Sequence, residues 1–343
     1  MLFRSLRTLL TILLPVCVCI VLLVAPAGAT SRSQASQATV SAHGVTSHLV
    51  TQSAAEVHAY WTPERMKSAK PLDEVLAPAA KTAHRPVTQT GPAGFVAPAL
   101  PQSGSASGSY KSSVLSPDSS VPPGSYSSFP YSTVGKVFFT QNGNNFECSG
   151  AAINSKNKSV VDTAGHCVYG GGHFDSYFQF CPQYLKGSSP QGCWVANYVA
   201  TRNDWINTGS LEDDFGMAVV SPNNGNLLVN VVGGLGWVYN ASANQTFTAL
   251  GYPANSPYDG SKMIQCGPIG SSTVTGFDDG TVIAIPCDMH GGASGGPWII
   301  SFNGTFGYVN GHNDFHYNND LKHEYTPYYD GDWFSLFNFV QSR

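Results

Sequence analysis

The segment GGASGGP, residues 291–297, encloses a serine between glycines. Glycine adopts backbone angles that other residues avoid, so the chain can turn sharply here and leave the Ser294 hydroxyl exposed. The same turn can direct backbone N–H groups toward one point, as the stabilisation of an oxyanion requires. The segment predicts a nucleophilic serine, with an ordinary glycine-rich turn as the alternative.

A histidine and a carboxylate that could assist this serine lie upstream. His166 lies in the motif TAGHC, directly after a short apolar run. Asp214 lies in the motif DDFGMAVV, at the entrance to another apolar run, and Asp213 is the alternative acid. A general base needs close positional control, and a buried acid supplies it by orienting the imidazole. The three motifs together predict a triad of Ser294, His166 and Asp214.

Short apolar runs separated by turn signals must position these residues. Asn-Gly and Asp-Gly pairs lie between several of the runs and are typical of turns. Regular short strands with such turns predict an all-β sandwich or barrel. The runs that we predict as strands are 134–140, 151–153, 159–161, 215–220, 227–232, 247–250, 281–285, 298–300 and 306–309.

Two helices are predicted outside the strands. Thr62 followed by Pro63 is typical of a helix start, with the threonine as cap. Near the C-terminus, Asp332 can cap a helix. The apolar residues of that helix recur at helical spacing and predict one buried stripe. They are Trp333, Leu336, Phe337 and Val340.

The N-terminal third differs in composition from the rest. Arg4 and Arg7 precede an apolar run that ends before Ala-Gly-Ala at 27–29, which is the pattern of a cleaved export signal. An uncleaved membrane anchor is the alternative, but the run is short for a spanning helix. Between 86 and 133 only two residues are charged, so we expect a linker that cannot order itself. The predicted division is a signal peptide at 1–29, a propeptide and Ser/Gly/Pro-rich linker at 30–130, and the catalytic domain at 131–343.

Eight cysteines are present, and two of them lie in the export signal. An even number of remaining cysteines in a secreted, extracellular chain predicts disulfides, although many connectivities are possible. Pairing of nearest neighbours gives 148–167, 181–193 and 266–287. A zinc site is the alternative, and no Cys-x-x-Cys or Cys/His ligand spacing supports it. The six residues are Cys148, Cys167, Cys181, Cys193, Cys266 and Cys287.

The charge balance limits the partners. The net charge is −4 and only 11% of the residues are charged, which argues against capture of nucleic acid by a basic face. We expect protein or peptide substrates, no stable membrane association, no cofactor or metal, and a monomer. The aromatic and acidic stretch 313–332 is predicted to form a cleft wall or a surface loop.

The motifs TAGHC, DDFGMAVV and GGASGGP resemble the three catalytic blocks of the chymotrypsin-like serine peptidases, in the order His, Asp, Ser that this fold uses. The chain is most similar to the secreted microbial trypsin-like peptidases, the group that includes the glutamyl endopeptidases. The resemblance covers 131–343, and the motif YWTPERM resembles the propeptides of that group. It implies two antiparallel six-stranded β-barrels with the active site between them, to which the helical spacing described above adds a C-terminal α-helix.

The resemblance also implies roles for individual residues. Ser294 corresponds to the nucleophile and His166 to the general base, oriented by Asp214, while the N–H groups of Gly292 and Ser294 form the oxyanion hole. Cys148 and Cys167 match the disulfide that brackets the histidine. Animal members carry an aspartate before the serine, which pairs with the new N-terminus on activation. Residue 293 is alanine here, so the propeptide must act in another way.

The resemblance leaves substrate preference open. Asp288 lies six positions before Ser294, where trypsin-type members bind basic substrates, and His312 lies near the histidine of glutamyl endopeptidases that meets a substrate carboxylate. Asp288 can instead bond a turn, and His312 can be a buried strand residue. Two other functions are an inactive homologue that binds peptides and an α/β-hydrolase esterase. The esterase fold needs its acid and histidine after the serine, and only a short segment follows Ser294.

Overall fold

The computed structural model describes residues 39–72, 74–76, 91–102, 119–277, 280–303 and 307–343. The chain divides into two units, Met1–Ser36 and Gln37–Arg343, and all described residues belong to the second. The predicted signal peptide therefore lies outside the described residues. Among the residues described, no helix has the length and apolar character needed to cross a membrane.

The described elements are mostly short strands. The N-terminal region contains β1 Val40–Ala42, β2 Val45–Leu49, α1 Ala54–Tyr60, α2 Pro63–Ser68, β3 Lys70–Pro71, β4 Glu74–Leu76, β5 Gly94–Val96 and β6 Ser119–Ser120. The next part contains β7 Val134–Gln141, β8 Asn144–Ile153, β9 Val160–Ala164, β10 Tyr169–Gly170, β11 His173–Phe174, β12 Ser176–Pro182, β13 Trp194–Arg202, α3 Asn203–Thr208 and β14 Phe215–Val220. The last part contains α4 Leu228–Val232, β15 Gly236–Tyr239, β16 Thr246–Gly251, β17 Ile264–Gly270, β18 Ser272–Phe277, β19 Gly280–Pro286, β20 Pro297–Ile300, β21 Tyr308–His312, β22 Phe315–Tyr317, β23 Asp320–Pro327 and α5 Gly331–Val340.

Six strands close into the first barrel. They run β13-β12-β7-β8-β9-β14, each antiparallel to its neighbours, and the pairing of β13 with β14 closes the ring. The interior of so small a barrel is filled by side chains. Here Val137, Phe139, Phe180 and Val199 are among the fully buried residues of that cluster. The barrel confirms the all-β prediction for this half.

The second half is built from two sheets. A seven-stranded sheet has the order β5-β15-β21-β20-β16-β17-β6, and a five-stranded sheet has the order β18-β19-β23-β22-β4. The C-terminal helix α5 buries Trp333, Leu336, Phe337 and Val340, which confirms the predicted stripe. Its cap is Asp330 and not Asp332, because the Asp330 carboxylate accepts the N–H groups of Asp332 and Trp333.

One predicted strand is wrong. The run 227–232 forms the helix α4, which buries Leu228, Val229 and Val232. A short apolar run does not by itself distinguish a strand from a buried helical turn, and the glycines that flank this run, Gly225 and Gly233, can bound either element. Thr62 does cap α2 by accepting the Arg65 N–H, as predicted.

The N-terminal region is partly integrated into the body of the molecule. β2 pairs antiparallel with β13, and Val45 is fully buried. Within the stretch 86–133, which we expected to be unable to order itself, β5 pairs with β15 and β6 pairs with β17. Val121 is buried there. These segments need no core of their own, because they add strands to sheets that already have one.

Candidate active site

His166 is buried in a short turn at the end of β9. This strand pairs antiparallel with β14, in a register that places the end of β9 opposite the start of β14. The 3-10 turn that follows β9 therefore begins beside Asp214, whose carbonyl accepts the Gly165 N–H at 3.0 Å. Strand pairing thus brings together two side chains that lie 48 residues apart.

Asp214 holds both the backbone and the ring of His166. Its Oδ1 accepts the His166 backbone N–H at 2.7 Å, and its Oδ2 lies 2.8 Å from His166 Nδ1. The two side chains are 0% and 2% exposed, so water does not compete for these bonds. A carboxylate at Nδ1 selects the tautomer in which Nε2 is the nitrogen that accepts a proton.

The alternative acid Asp213 faces a different partner. Its Oδ1 lies 3.6 Å from Arg202 Nε, and Arg202 also pairs with Asp332 at 2.6 Å. Burial, followed by the charges of nearby acids, raises the pKa of Asp213 to about 7. Asp214 is therefore the member of this acidic pair that contacts His166.

The Ser294 turn is anchored to the first barrel. The Ser149 N–H donates to the Ser294 carbonyl at 2.8 Å, and the Ser149 hydroxyl donates to the Gly292 carbonyl at 2.8 Å. The sulfur of Cys167, the residue after His166, lies 3.8 Å from the same Ser294 carbonyl oxygen. The backbone of the predicted nucleophile is thus fixed beside the predicted base.

The turn requires glycine at two positions. Gly292 has φ +91° and Gly295 has φ +81°, in the left-handed region that other residues rarely adopt. A Cβ at Gly295 would also collide with the Thr163 hydroxyl and the Ser149 carbonyl. The Gly295 N–H donates to the Asn313 carbonyl at 2.7 Å, which ties the turn to the loop after β21.

Comparison with known proteins identifies the family. No protein-family model and no curated protein matches the chain. The structure is similar to that of the protease Anisep from Arthrobacter nicotinovorans, with 35% identity and a TM-score of 0.58 over 62% of this chain and 96% of Anisep. The chain belongs to the chymotrypsin-like serine protease family.

Two further structures agree with this assignment. The thermostable serine protease AL20 from an extremophilic microorganism is 33% identical to this protease, with a TM-score of 0.58 over 64% of this chain and 99% of AL20. A Glu endopeptidase is 18% identical, with a TM-score of 0.52 over 67% of this chain and 98% of its own, and shares the fold. Together they confirm the predicted family and fold, and they support protease activity.

This protease has a second buried carboxylate at His166, which the sequence analysis did not single out. Asp314 Oδ1 lies 3.6 Å from His166 Nδ1 and 3.7 Å from His312 Nε2. Asp314 is 1% exposed and lies between β21 and β22. The only sequence signal was its position in the acidic stretch predicted to form a cleft wall.

His312 lies behind the candidate triad. It is fully buried, and burial is the main cause that lowers its pKa to about 3. Its Nδ1 lies 2.9 Å from the Tyr329 hydroxyl, which donates to Asp162 Oδ2 at 2.7 Å. The Trp333 indole N–H donates to Asp162 Oδ1 at 3.1 Å. A buried polar chain therefore joins the C-terminal helix to the site, and contact of His312 with a substrate carboxylate stays a prediction.

Asp288 lies next to the disulfide-bonded Cys287 and is half-buried. Its Oδ1 accepts the Tyr258 hydroxyl at 2.6 Å. This bond fixes one face of the carboxylate. The selection of basic substrates by Asp288 stays a prediction.

The disulfides and the possible metal ligands complete the site. The six cysteines outside the signal form the three nearest-neighbour pairs 148–167, 181–193 and 266–287.

Two groups of side chains in the described part of the chain have ligand atoms close enough to hold a metal ion. One consists of His166 and the two disulfide-bonded cysteines, whose sulfurs are not thiolates. The other is His166, Asp214 and Asp314, in which the shortest contact is already the bond from His166 to Asp214.

Proposed function

We propose that the protein is a secreted serine endopeptidase, made as a proenzyme, that hydrolyses peptide bonds through an acyl-enzyme on Ser294. The observation that carries this proposal is the buried pair of contacts from Asp214 to His166, next to a glycine-bounded serine. The names of the similar proteins, a protease, a serine protease and a Glu endopeptidase, support the reaction class. An intact His–Asp pair also argues against an inactive homologue that only binds peptides.

The proposed reaction assigns a step to each of these groups. Ser294 Oγ attacks the substrate carbonyl carbon while its proton passes to His166 Nε2. The N–H groups of Gly292 and Ser294 donate to the oxyanion. His166 then gives the proton to the leaving amine as the C–N bond breaks. In the second half of the reaction a water molecule takes the place of Ser294 as the attacking group and gives its proton to His166. The proton then returns to Ser294 Oγ as the acid product is released.

Export is supported by the N-terminal pattern and by the cysteines. Residues 1–29 are proposed as the signal peptide, with 30–130 as propeptide and linker and 131–343 as the protease domain. Disulfides persist in oxidising compartments, and the structure contains three. N-terminal sequencing of the chain recovered from the culture medium should place the first cut after Ala29 and a second cut upstream of residue 131.

Ser294→Ala tests the nucleophile. We expect a loss of kcat on the order of a million-fold on a protein substrate after maturation, because the acyl-enzyme cannot form. The matched control is Ser342→Ala, which removes an exposed hydroxyl near the C-terminus. Both variants should react equally with an antibody against the native fold. Turnover retained by Ser294→Ala would refute the assignment.

A further inference from the structure

A segment of the N-terminal region crosses the candidate active site. β3 pairs in parallel with β8, and the Leu72 N–H that follows donates to the Glu147 carbonyl of β8 at 3.1 Å. A few residues later β4 pairs in parallel with β22, the strand that follows Asp314. The first part of this segment, 70–72, therefore pairs with a strand edge on one side of the Ser294 turn, and the second part, 74–76, pairs with a strand edge on the other side. A bound peptide pairs with strand edges in the same way.

Between these two pairings, the segment takes up the predicted oxyanion donor. The Gly292 N–H donates to the Leu72 carbonyl at 3.0 Å. Oxyanion donors act at 2.7–3.1 Å from the oxygen that they stabilise, so this distance lies in the functional range. The Leu72 carbonyl oxygen occupies a position that a substrate carbonyl needs. Substrate and segment cannot both use this donor.

The direction of the segment is opposite to the direction that both edges favour. Parallel pairs have slanted hydrogen bonds and are less stable per residue than antiparallel pairs. A peptide that ran the other way would pair antiparallel with both β8 and β22. Substrates are therefore expected to bind in that opposite direction, and the segment is the weaker ligand residue for residue.

The same direction protects the segment from cleavage. A substrate must place its leaving amine on the side from which His166 can protonate it. His166 is tied to β8 by the disulfide between Cys148 and Cys167, so that side faces β8. In the segment, the chain that follows the Leu72 carbonyl runs toward β22. The nitrogen of this peptide bond therefore lies on the side away from β8. Its peptide bond has the wrong polarity for hydrolysis.

We propose that residues 70–72 and 74–76 form a built-in inhibitor that occupies the substrate cleft in reverse direction, with the Leu72 carbonyl on the Gly292 N–H. This proposal rests on the proposed serine endopeptidase function and supplies the device that holds the proenzyme inactive. It also accounts for Ala293: this chain blocks its cleft directly, so it has no need of the aspartate that animal members use at activation. The buried pair of Lys136 and Glu147, at 2.6 Å, holds the edge of β8 on which the segment rests.

Hydrogen exchange at the Gly292 amide tests the contact without depending on activity. The full-length Ser294→Ala chain is used, because it cannot digest itself. Leu72→Pro removes the N–H that donates to Glu147, and we expect exchange at Gly292 to accelerate about tenfold, the effect of losing one hydrogen bond that holds the segment. Ala54→Pro is the matched control, because a proline at the exposed first position of α1 is tolerated. Leu72→Ala removes the side chain but keeps the N–H. It therefore shows whether an effect of Leu72→Pro comes from the lost hydrogen bond or from the lost side chain.

Labelling of Ser294 by a serine-reactive fluorophosphonate gives the functional readout. In chains that keep Ser294, Leu72→Pro should label about tenfold faster than the wild type, and Ala54→Pro at the wild-type rate. Exchange at Gly292 as fast as at an exposed amide, or unaffected by Leu72→Pro, would overturn the inhibitor proposal. Accelerated exchange without any labelling of Ser294 would instead contradict the proposed nucleophile, so the two failures are distinguishable.

Discussion

Asp162 offers a quantitative test of the buried polar chain behind the candidate triad. Its carboxyl is fully enclosed beneath α5 and accepts bonds from Tyr329 and Trp333. Burial raises the pKa of Asp162 from 3.8 to about 7, more than its two hydrogen bonds lower it. We expect Asp162→Asn to change the pH dependence of stability, because the amide keeps the shape of the carboxyl and cannot ionise.

The sign follows from proton binding. Between pH 3.8 and 7 the unfolded chain has lost a proton that the folded chain keeps, so the free energy of unfolding falls as the pH rises through this interval. The contribution is fully present below pH 3.8 and is lost above 7. The difference between the two pKa values corresponds to about 4 kcal/mol, as an order of magnitude. Asp162→Asn should gain stability relative to the wild type by about this amount between pH 4 and pH 8.

Urea unfolding at a series of pH values measures this difference. Both chains carry Ser294→Ala to prevent self-digestion, and the disulfides stay oxidised. Asp204→Asn is the control, since its side chain is 57% exposed. That control should leave the pH profile nearly unchanged. A stability difference between wild type and Asp162→Asn that stays constant from pH 4 to pH 8 would refute the reasoning.

Four further predictions concern the matured enzyme. The value of kcat/KM should fall in acid as His166 takes up a proton, because a protonated imidazole cannot act as the base, and a flat profile from pH 4 to pH 8 would contradict a histidine base. Asp314→Asn should move this acid limb to lower pH by about one unit, because it removes a negative charge 3.6 Å from His166 Nδ1; an unmoved limb would show that Asp314 is uncharged there. Asp288→Asn should lower kcat/KM at least about tenfold for substrates cut after Lys or Arg and leave it unchanged for other substrates. The cut sites are read by mass spectrometry. Equal losses for both kinds of substrate would show that Asp288 does not select basic substrates and only accepts the bond from Tyr258. A chelator should not inhibit, and loss of activity that zinc restores would indicate a metal enzyme instead.

The parts of the site that could be predicted from the sequence are those with a local cause. Two of the glycines around Ser294, Gly292 and Gly295, are required by backbone angles, and a motif of seven residues is enough to show them. The apolar entrance after Asp214 is likewise visible in the chain, and it correctly favoured that residue over Asp213 for the contact with His166. The stripe of α5 follows from helical spacing alone.

The parts that could not be predicted depend on contacts between distant strands. Asp314 reaches His166 because it lies between the end of β21 and the start of β22, and nothing in its immediate neighbours in the sequence indicates this contact. The fully buried position of His312 depends on Tyr329 and on the packing of α5. The prediction of a strand for the run that forms α4 was wrong for a different reason, since five apolar residues fit a strand or a single helical turn equally well.

The N-terminal residues 40–72 and 74–76 make two kinds of contact, which have different consequences if the chain matures as the proposed proenzyme. β2 covers the outer part of β13, where β12 no longer pairs, and so satisfies backbone groups at residues 198–202 of the first barrel. Residues 70–72 and 74–76 instead cover the Gly292 N–H and β22, which a substrate would contact in their place. An exposed strand edge invites association with other chains, whereas an exposed cleft is what a protease needs. A cut that releases only the second contact would activate the enzyme without uncovering the edge of its barrel.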